Sequence, residues 1–450
     1  MNSDVASRTM RKVIWRLVPF LALLYAFNII DRANVGFARL GMTAELGLTD
    51  AVIDWGYGLF FVGYLIFEVP SNLLLRRLGA RVWISRIMIS WGLVSMLTAA
   101  VTGVSSYYWA RVLLGVAEAG FFPGIIYYLT AWFPAALRAR VVAWFMLAIP
   151  VANILGNPIS GAIMDSMKGV GGLSGWQWLF VLEGIPSVLL GILVFWLLPD
   201  RPRQAAWLND DEKDWLEAEI AGEEGQLREA GGSEKLTALA DPRVWLLIAL
   251  YASVAIGTNA TGAYLPKLVK GHFEPMLAAG GGGEASSLYW KVGLLTALPH
   301  LAAVVAMVLV SRLSDAWRMR SALVGVSLAA AAAGWLVAWR VENPWLALAG
   351  LSLAQAGMMA VLPVFWTLPP LFLGGAAAAA GIALINSVAN MGGIFAPTVI
   401  GRFGVAPMVA VMVWGVAMAA LAWWLVERRA RLAHAQSQDM SGHQERKIDS

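Results

Sequence analysis

The sequence predicts an all-α polytopic membrane protein whose twelve transmembrane helices form two pseudo-symmetric six-helix bundles around a central cavity. Three observations carry this. Of 450 residues, 59% are hydrophobic and 14% charged, a composition that a water-soluble domain of this length does not sustain. Twelve apolar runs recur, each about twenty residues long, which is what an α-helix needs to cross roughly 30 Å of hydrocarbon. A single long hydrophilic stretch near the middle leaves six runs on either side.

The runs fall near 17–38, 52–75, 82–103, 107–130, 140–165 and 177–198, then near 243–269, 291–313, 321–339, 345–369, 377–402 and 405–427. None alternates with a period of two over ten residues, so helices rather than a barrel satisfy the backbone in lipid. The first run is a full span interrupted by Asp31 and Arg32, unlike the unbroken apolar core of a cleavable signal, and is expected to be retained.

Basic loop residues set the orientation. With both termini cytoplasmic, 24 of the 33 Lys and Arg residues lie on the inside, and seven lie at or near outer ends. The net charge of +4 therefore reflects topology, and no nucleic-acid partner is expected. The expected setting is a multi-pass plasma membrane, as in a bacterial inner membrane, with lipid as the surrounding partner.

The expected organisation is an N-terminal bundle over 1–198, a cytoplasmic linker over 199–242, a C-terminal bundle over 243–430 and a disordered cytoplasmic tail over 431–450. Weak internal similarity supports a duplicated carrier. Gly-Pro stretches recur in the fifth span of each half, GNPISG at 156–161 and GGIFAPTVIG at 392–401, and basic loops recur after the second span, RRLGAR at 76–81 and SRLSDAWRMR at 311–320. The linker's DDEKDWLEAEI reads as an amphipathic surface helix with Leu208, Trp215, Leu216 and Ile220 facing membrane or bundle. Gly280–Gly283 reads as a flexible external turn.

The chain has no Cys, and its four His residues (His272, His300, His434, His443) are far apart. Disulfides, thiol chemistry and cysteine metal sites are excluded; no cofactor, no metal and no enzymatic nucleophile is expected. The informative groups are ionisable residues within spans, which are costly and mark a transport path by default. Arg111 and Glu118 are seven apart on the fourth span, two turns along one face and about 10 Å apart in depth. Asp31 and Arg32 diverge by about 100° on the first span, so cross-helix partners suit them better than each other. Two guanidiniums match the planar geometry of carboxylates, and buried carboxylates are candidates to bind and release protons. The competing reading is that Arg111 pairs with Asp31 or Glu118 only to hold spans together.

Six strings extend this: NIIDRANVGFA at 28–38, GYLIFEVPSN at 63–72, RVLLGVAEAGFFPG at 111–124, WFPAALRAR at 132–140, GWQWLFVLEGIPS at 175–187 and ALINSVANMGG at 383–393. Together they resemble the anion:cation symporter branch of the major facilitator superfamily, with tartrate, phthalate, galactonate and hydroxyphenylacetate permeases and, more distantly, vesicular glutamate and sialic acid carriers. The resemblance implies proton-coupling roles for Asp31 and Glu118 and anion binding or gating by Arg32 and Arg111. It also implies substrate contacts for Tyr64, Trp366, Asn386 and Asn390. One departure stands at Leu75, where the superfamily's loop motif usually carries an acidic residue, which puts the charge latch of that loop in question.

For several of these residues a structural reading stays open: packing for Tyr64, interhelical hydrogen bonding for the Asn pair, a helix anchor for Glu183 and a gate or packing charge for Glu68. Asn259 and Tyr264 are further cavity candidates, Tyr264 equally an interfacial aromatic; His300 is divided between a structural role and proton relay. The expected function is secondary active uptake of a small organic anion with protons, by alternating access of a monomer. The anion is a hydroxylated carboxylate such as tartrate or a sugar acid, or else an aromatic carboxylate such as phthalate or hydroxyphenylacetate. Proton-driven efflux or anion exchange is the rival direction.

Overall fold

The computed structural model describes residues 2–229, 241–279, 288–317, 319–373 and 375–428. The glycine turn at 280–283 and the tail at 431–450 lie outside the described residues. Among the described residues every regular element is helical. The first half contains α1 (Asn2–Glu45), α2 (Asp50–Leu78), α3 (Ala80–Leu97), α4 (Val104–Glu118), α5 (Phe121–Thr130), α6 (Ala135–Met146), α7 (Ala148–Ser166) and α8 (Gly175–Leu197). After the linker helix α9 (Asp210–Glu229) come α10 (Pro242–Ala279), α11 (Leu288–Trp317), α12 (Arg320–Arg340), α13 (Pro344–Phe365), α14 (Gly375–Asn390), α15 (Ala396–Phe403) and α16 (Ala406–Ala422).

Eleven of the described helical segments are long and apolar enough to cross a membrane. The remaining traverse is α6 with α7, whose buried Asn153, Asn157 and Ser160 lower its hydropathy. Three traverses are broken, and the breaks place the site. The fourth is interrupted at Ala119–Gly120, where Gly120 adopts φ +85, a left-handed conformation open mainly to glycine. Ser71 Oγ donates to the Ala119 carbonyl there at 2.6 Å, giving that acceptor a partner, and Glu118 becomes the last residue of α4. The fifth breaks at Leu147, upstream of GNPISG, which lies inside continuous α7. In the eleventh, the glycines at 392–393 fall in a tight turn of 3-10 helix, Met391–Ile394, which ends α14 just after Asn386 and Asn390.

The duplication is visible in a matched pair of caps. Asp200, just beyond α8, accepts the backbone N–H of Arg81 in the first turn of α3 at 2.8 Å. Glu427, just beyond α16, accepts the N–H groups of Arg320 and Ser321 at the start of α12, at 3.1 and 2.8 Å. An acid following the last helix of each half thus neutralises the positive end of its third helix. Leu75 is buried, and Asp200 supplies the acidic group beside the RRLGAR loop.

The halves meet closely at one end. Added Cβ atoms would lie 2.9 Å from the Gly262 carbonyl at Gly36, 2.2 Å from that of Tyr289 at Gly161, and 2.4 Å from that of Asn157 at Gly293. Small residues let these backbones touch. Helix α9 docks on the first half: Leu208 and Leu216 are buried and Trp215 and Ile220 half-buried, as the amphipathic reading expects, while Trp207 stacks on Trp132 at 5.6 Å.

Candidate substrate cavity

Between the halves lies a cavity of about 210 Å³. Its first-half wall includes Tyr25, Arg32, Tyr57, Tyr64 and Glu68; its second-half wall includes Asn259, His300, Gln355, Asn386 and Asn390. The wall is largely apolar with a few convergent polar groups, which is how small-molecule sites are commonly built.

The charged centre is an ion pair. Arg32 Nε and Nη2 both approach Glu118 Oε1 at 2.5 Å, and Asn28 Nδ2 donates to the same oxygen at 2.7 Å. Glu118 is buried, whereas the Arg32 side chain keeps 28% exposure, enough for a ligand to reach it. The Tyr64 ring lies 5.2 Å and the Phe60 ring 5.5 Å from the guanidinium carbon, so aromatic faces support the cation.

The other predicted charges sit elsewhere. Arg111 is buried behind the aromatic wall, 5.2 Å from the Phe60 ring and 6.0 Å from that of Tyr57, and its Nε and Nη1 find no hydrogen-bond partner. Asp31 turns into the first half, where Trp91 Nε1 donates at 2.5 Å, Ser95 and Ser187 at 2.9 Å, and Asn34 Nδ2 at 3.3 Å. Neither Asp31 nor Arg111 lines the cavity.

The second half brings polar groups without charge. Asn390 Nδ2 donates to the Asn386 carbonyl at 2.8 Å and to its side-chain oxygen at 3.1 Å, tying the two predicted residues together at the end of α14. Trp366 packs on Tyr251 at 5.0 Å and on Phe365 at 5.1 Å, one layer behind the wall, with its indole N–H unpartnered. His300 Nδ1 and Gln355 Nε2 are 3.3 Å apart. Sequence reasoning passed over Gln355, Asn153 and Tyr57 as wall residues, and Asn28 as a partner of Glu118. Asn28 stands one turn before Arg32 on α1, and that spacing was the available signal.

One end of the cavity is sealed. Asp54 Oδ1 accepts Arg39 Nη2 and Asp54 Oδ2 accepts the Tyr264 hydroxyl at 2.6 Å, while the Arg39 guanidinium lies 4.1 Å from the Tyr264 ring centre. Lys267 Nζ donates to Asp50 at 2.5 Å, and the Trp290 N–H to Asp165 at 2.7 Å. The sequence reading ended the first span at residue 38 and missed this cluster; α1 runs on to Glu45 and buries Arg39, a charge that then needs a partner.

A cavity at the seam of two six-helix halves, closed at one end and set with a few polar groups, is the architecture of a membrane transporter. The chain belongs to the Major Facilitator Superfamily, which matches residues 21–397. It is 46% identical over 401 residues to a protein of Agrobacterium vitis named "Putative tartrate transporter", covering 89% of each chain. It is 42% identical to the "Putative metabolite transport protein NicT" of Pseudomonas putida, covering 87% of this chain and 86% of the relative. A "Quinolone resistance transporter" of Acinetobacter baumannii is 39% identical, covering 88% and 89%. Among solved structures, an inward-facing bacterial homologue of the human lysosomal transporter Spinster aligns with TM-score 0.69 at 18% identity, covering 92% of this chain and 96% of the other. The partially occluded, inward-open xylose transporter XylE of E. coli aligns with TM-score 0.68 at 16% identity, covering 92% and 98%. These distant likenesses establish the fold alone.

Proposed function

We propose that the chain is a proton-coupled importer of a small organic anion, a hydroxylated dicarboxylate such as tartrate being the first choice. The observation that carries this is the Arg32–Glu118 pair on the cavity wall. A substrate carboxylate competes with Glu118 for the Arg32 fork, and a proton on Glu118 releases the guanidinium. Proton and anion therefore favour each other's binding, and the coupling is reciprocal. Asn386, Asn390, Gln355 and His300 on the facing wall suit the hydroxyls and second carboxylate of such a substrate. The names of the tartrate relatives support the substrate class.

The positive-inside bias supports assigning the sealed end to the outside and both termini to the cytoplasm. The structure then corresponds to the inward-facing, unloaded state, with Asp31 held by its four donors. Asp31 and Glu118 carry protons inward, and Arg111 meets the anion when Tyr57 and Phe60 move in the opposite state. A second direction, proton-driven efflux, is favoured by the quinolone-resistance relative.

The test is uptake of labelled tartrate, galactonate and phthalate into proteoliposomes under an inward proton gradient. Accumulation that collapses with a protonophore, and is lost in Glu118→Gln while counterflow exchange persists, is the expected result. Gradient-driven emptying of preloaded vesicles supports efflux instead, and normal accumulation by Glu118→Gln removes Glu118 from the coupling.

A further inference from the structure

Arg86 is a charge on the outer surface of α3 that the transport cavity does not use. At 100° per residue it falls within about 40° of Val82, Leu93 and Leu97, three apolar side chains that are exposed. The opposite face of α3 carries Ile84, Met88 and Trp91, all buried. The duplication gives an independent view of the same position. Asp200 accepts the Arg81 N–H and Glu427 the Ser321 N–H, both at 2.8 Å, so the matched caps align Arg81 with Ser321 and Arg86 with Val326. Val326 is 65% exposed. In both halves this position therefore faces lipid, and in the second half an apolar side chain meets the needs of the fold. The charge at Arg86 asks for another reason.

Its own surroundings do not supply one. The guanidinium carbon lies 4.1 Å from the Trp83 ring centre, Nη1 donates to Ser90 Oγ at 3.4 Å, and Nε is buried without a hydrogen-bond partner. Among the described residues no carboxylate pairs with it. A charge on a lipid-facing helix is costly unless it reaches the interface or meets an opposite charge. Trp83 stands one turn nearer the start of α3, so the Arg86 side chain runs back toward the membrane surface, and its guanidinium lies at a level about 4–5 Å along the helix from Ala80. The ring that supports it is fixed in turn: Trp83 Nε1 donates to Ser71 Oγ of α2 at 3.0 Å. A braced indole and guanidinium at this depth suit the headgroup level, where tryptophan is enriched.

We propose that Arg86, braced by Trp83, binds the phosphate of an anionic phospholipid whose acyl chains lie along Leu93 and Leu97. The planar fork of the guanidinium matches two phosphate oxygens, and the exposed leucines deeper on the same stripe give the chains an apolar bed. Arg76 and Arg77, in the last turn of α2, keep this end of the bundle positive and favour a headgroup of net negative charge over a zwitterionic one. On the orientation proposed above, the site lies in the cytoplasmic leaflet, whose surface is anionic; the site itself does not depend on that orientation or on the substrate.

Native mass spectrometry of the delipidated full-length protein, titrated with phosphatidylglycerol or with phosphatidylcholine, tests it. Wild type is expected to bind its first phosphatidylglycerol about fivefold more tightly than phosphatidylcholine. Arg86→Val, which installs the residue found at the matched position of the second half, is expected to abolish that preference, and Arg86→Gln to do the same should the Val variant fail to fold. Arg77→Gln removes an exposed charge at the same end and is expected to keep most of the preference. A preference retained without Arg86, or lost equally in Arg77→Gln, shows that the lipid answers to the general field of this end and overturns the site. Thermal unfolding in detergent gives a second readout: added phosphatidylglycerol is expected to stabilise wild type more than phosphatidylcholine does, and to stabilise the Arg86 variants no more than phosphatidylcholine does. Equal stabilisation of wild type and variants by phosphatidylglycerol overturns the proposal. Glycerol phosphate at the same concentration is expected to leave lipid binding unchanged; displacement of phosphatidylglycerol by it assigns Arg86 to free phosphate esters and overturns the lipid.

Discussion

Asp54 and Tyr264 join the two halves through one hydrogen bond of 2.6 Å, made on the same carboxylate that takes Arg39. The hydroxyl, the acid and the guanidinium are all buried, so the bond closes the seam with little competition from water. Hydrogen bonds to charged groups contribute about 1.5–3 kcal/mol. Tyr264→Phe and Asp54→Asn are therefore expected to shift the equilibrium away from the sealed end by about tenfold or more. The chain contains no Cys, so a single Cys introduced beside Asp54 reports this directly as faster thiol labelling; an unchanged rate separates the cluster from gating.

The glycines of the seam act in the same direction by volume. A Cβ at Gly161 meets the Tyr289 carbonyl at 2.2 Å, and one at Gly293 meets that of Asn157 at 2.4 Å, both backbone atoms that cannot swing aside. Gly161→Val is expected to hold the halves apart at this end and to slow transport severalfold, while thermal stability falls less than for a core substitution, because the opposite state relieves the clash. Increased labelling of the same Cys reporter together with reduced uptake checks this; normal labelling with loss of folded protein places the clash within a half.

The two arginines are expected to separate by assay. Arg32 reaches the cavity and Arg111 stands behind Phe60 and Tyr57. Arg32→Lys retains charge but loses the planar fork, and is expected to weaken equilibrium binding of the anion about tenfold. Arg111→Lys is expected to leave binding to the state described here within about twofold and to lower the rate of turnover. Equal effects of the two variants on equilibrium binding show that both guanidiniums meet the anion in one state.

How far the sequence reached follows from what each feature depends on. The spans depend on composition, and eleven of the apolar runs coincide with described helices long and apolar enough to cross a membrane; the fifth run coincides with α6 and α7, where Asn153 and Asn157 lower the hydropathy. Arg32 and Glu118 stood out because charge in lipid is rare, but which of the two acids Arg32 takes was decided by helix packing, which no run of residues displays. The same holds for Asp31: its Trp91, Ser95 and Ser187 partners come from two other helices. Tyr264 was divided between cavity and interface because its partner Asp54 lies 210 residues away. The break at Gly120 was hidden inside an apolar run, since glycine in a membrane helix serves packing as often as a turn.

The linker offers the last prediction, and it lies outside the membrane. Glu212 is buried, and accepts Arg8 Nε at 3.0 Å, Lys12 Nζ at 2.9 Å and the Asn209 N–H at 3.0 Å, clasping α9 to the start of α1. Burial raises its carboxyl, but the Asn209 N–H, Lys12 and Arg8 outweigh it, and the group is held below the ordinary glutamate value. A carboxyl lowered in the folded state contributes stability that is complete above its unfolded value and lost as the pH falls through the folded one. Docking of α9 is therefore expected to be indifferent to pH near neutrality and to weaken only below about pH 4. Glu212→Gln removes the ionic part at every pH, with an expected cost of about 1–2 kcal/mol, and flattens the acid limb. Limited proteolysis of the linker as a function of pH, on wild type and variant, reads this: faster cleavage of Glu212→Gln at neutral pH is expected. Equal cleavage of the two at neutral pH shows that Leu216 and the Trp207–Trp132 stack hold α9 without the clasp.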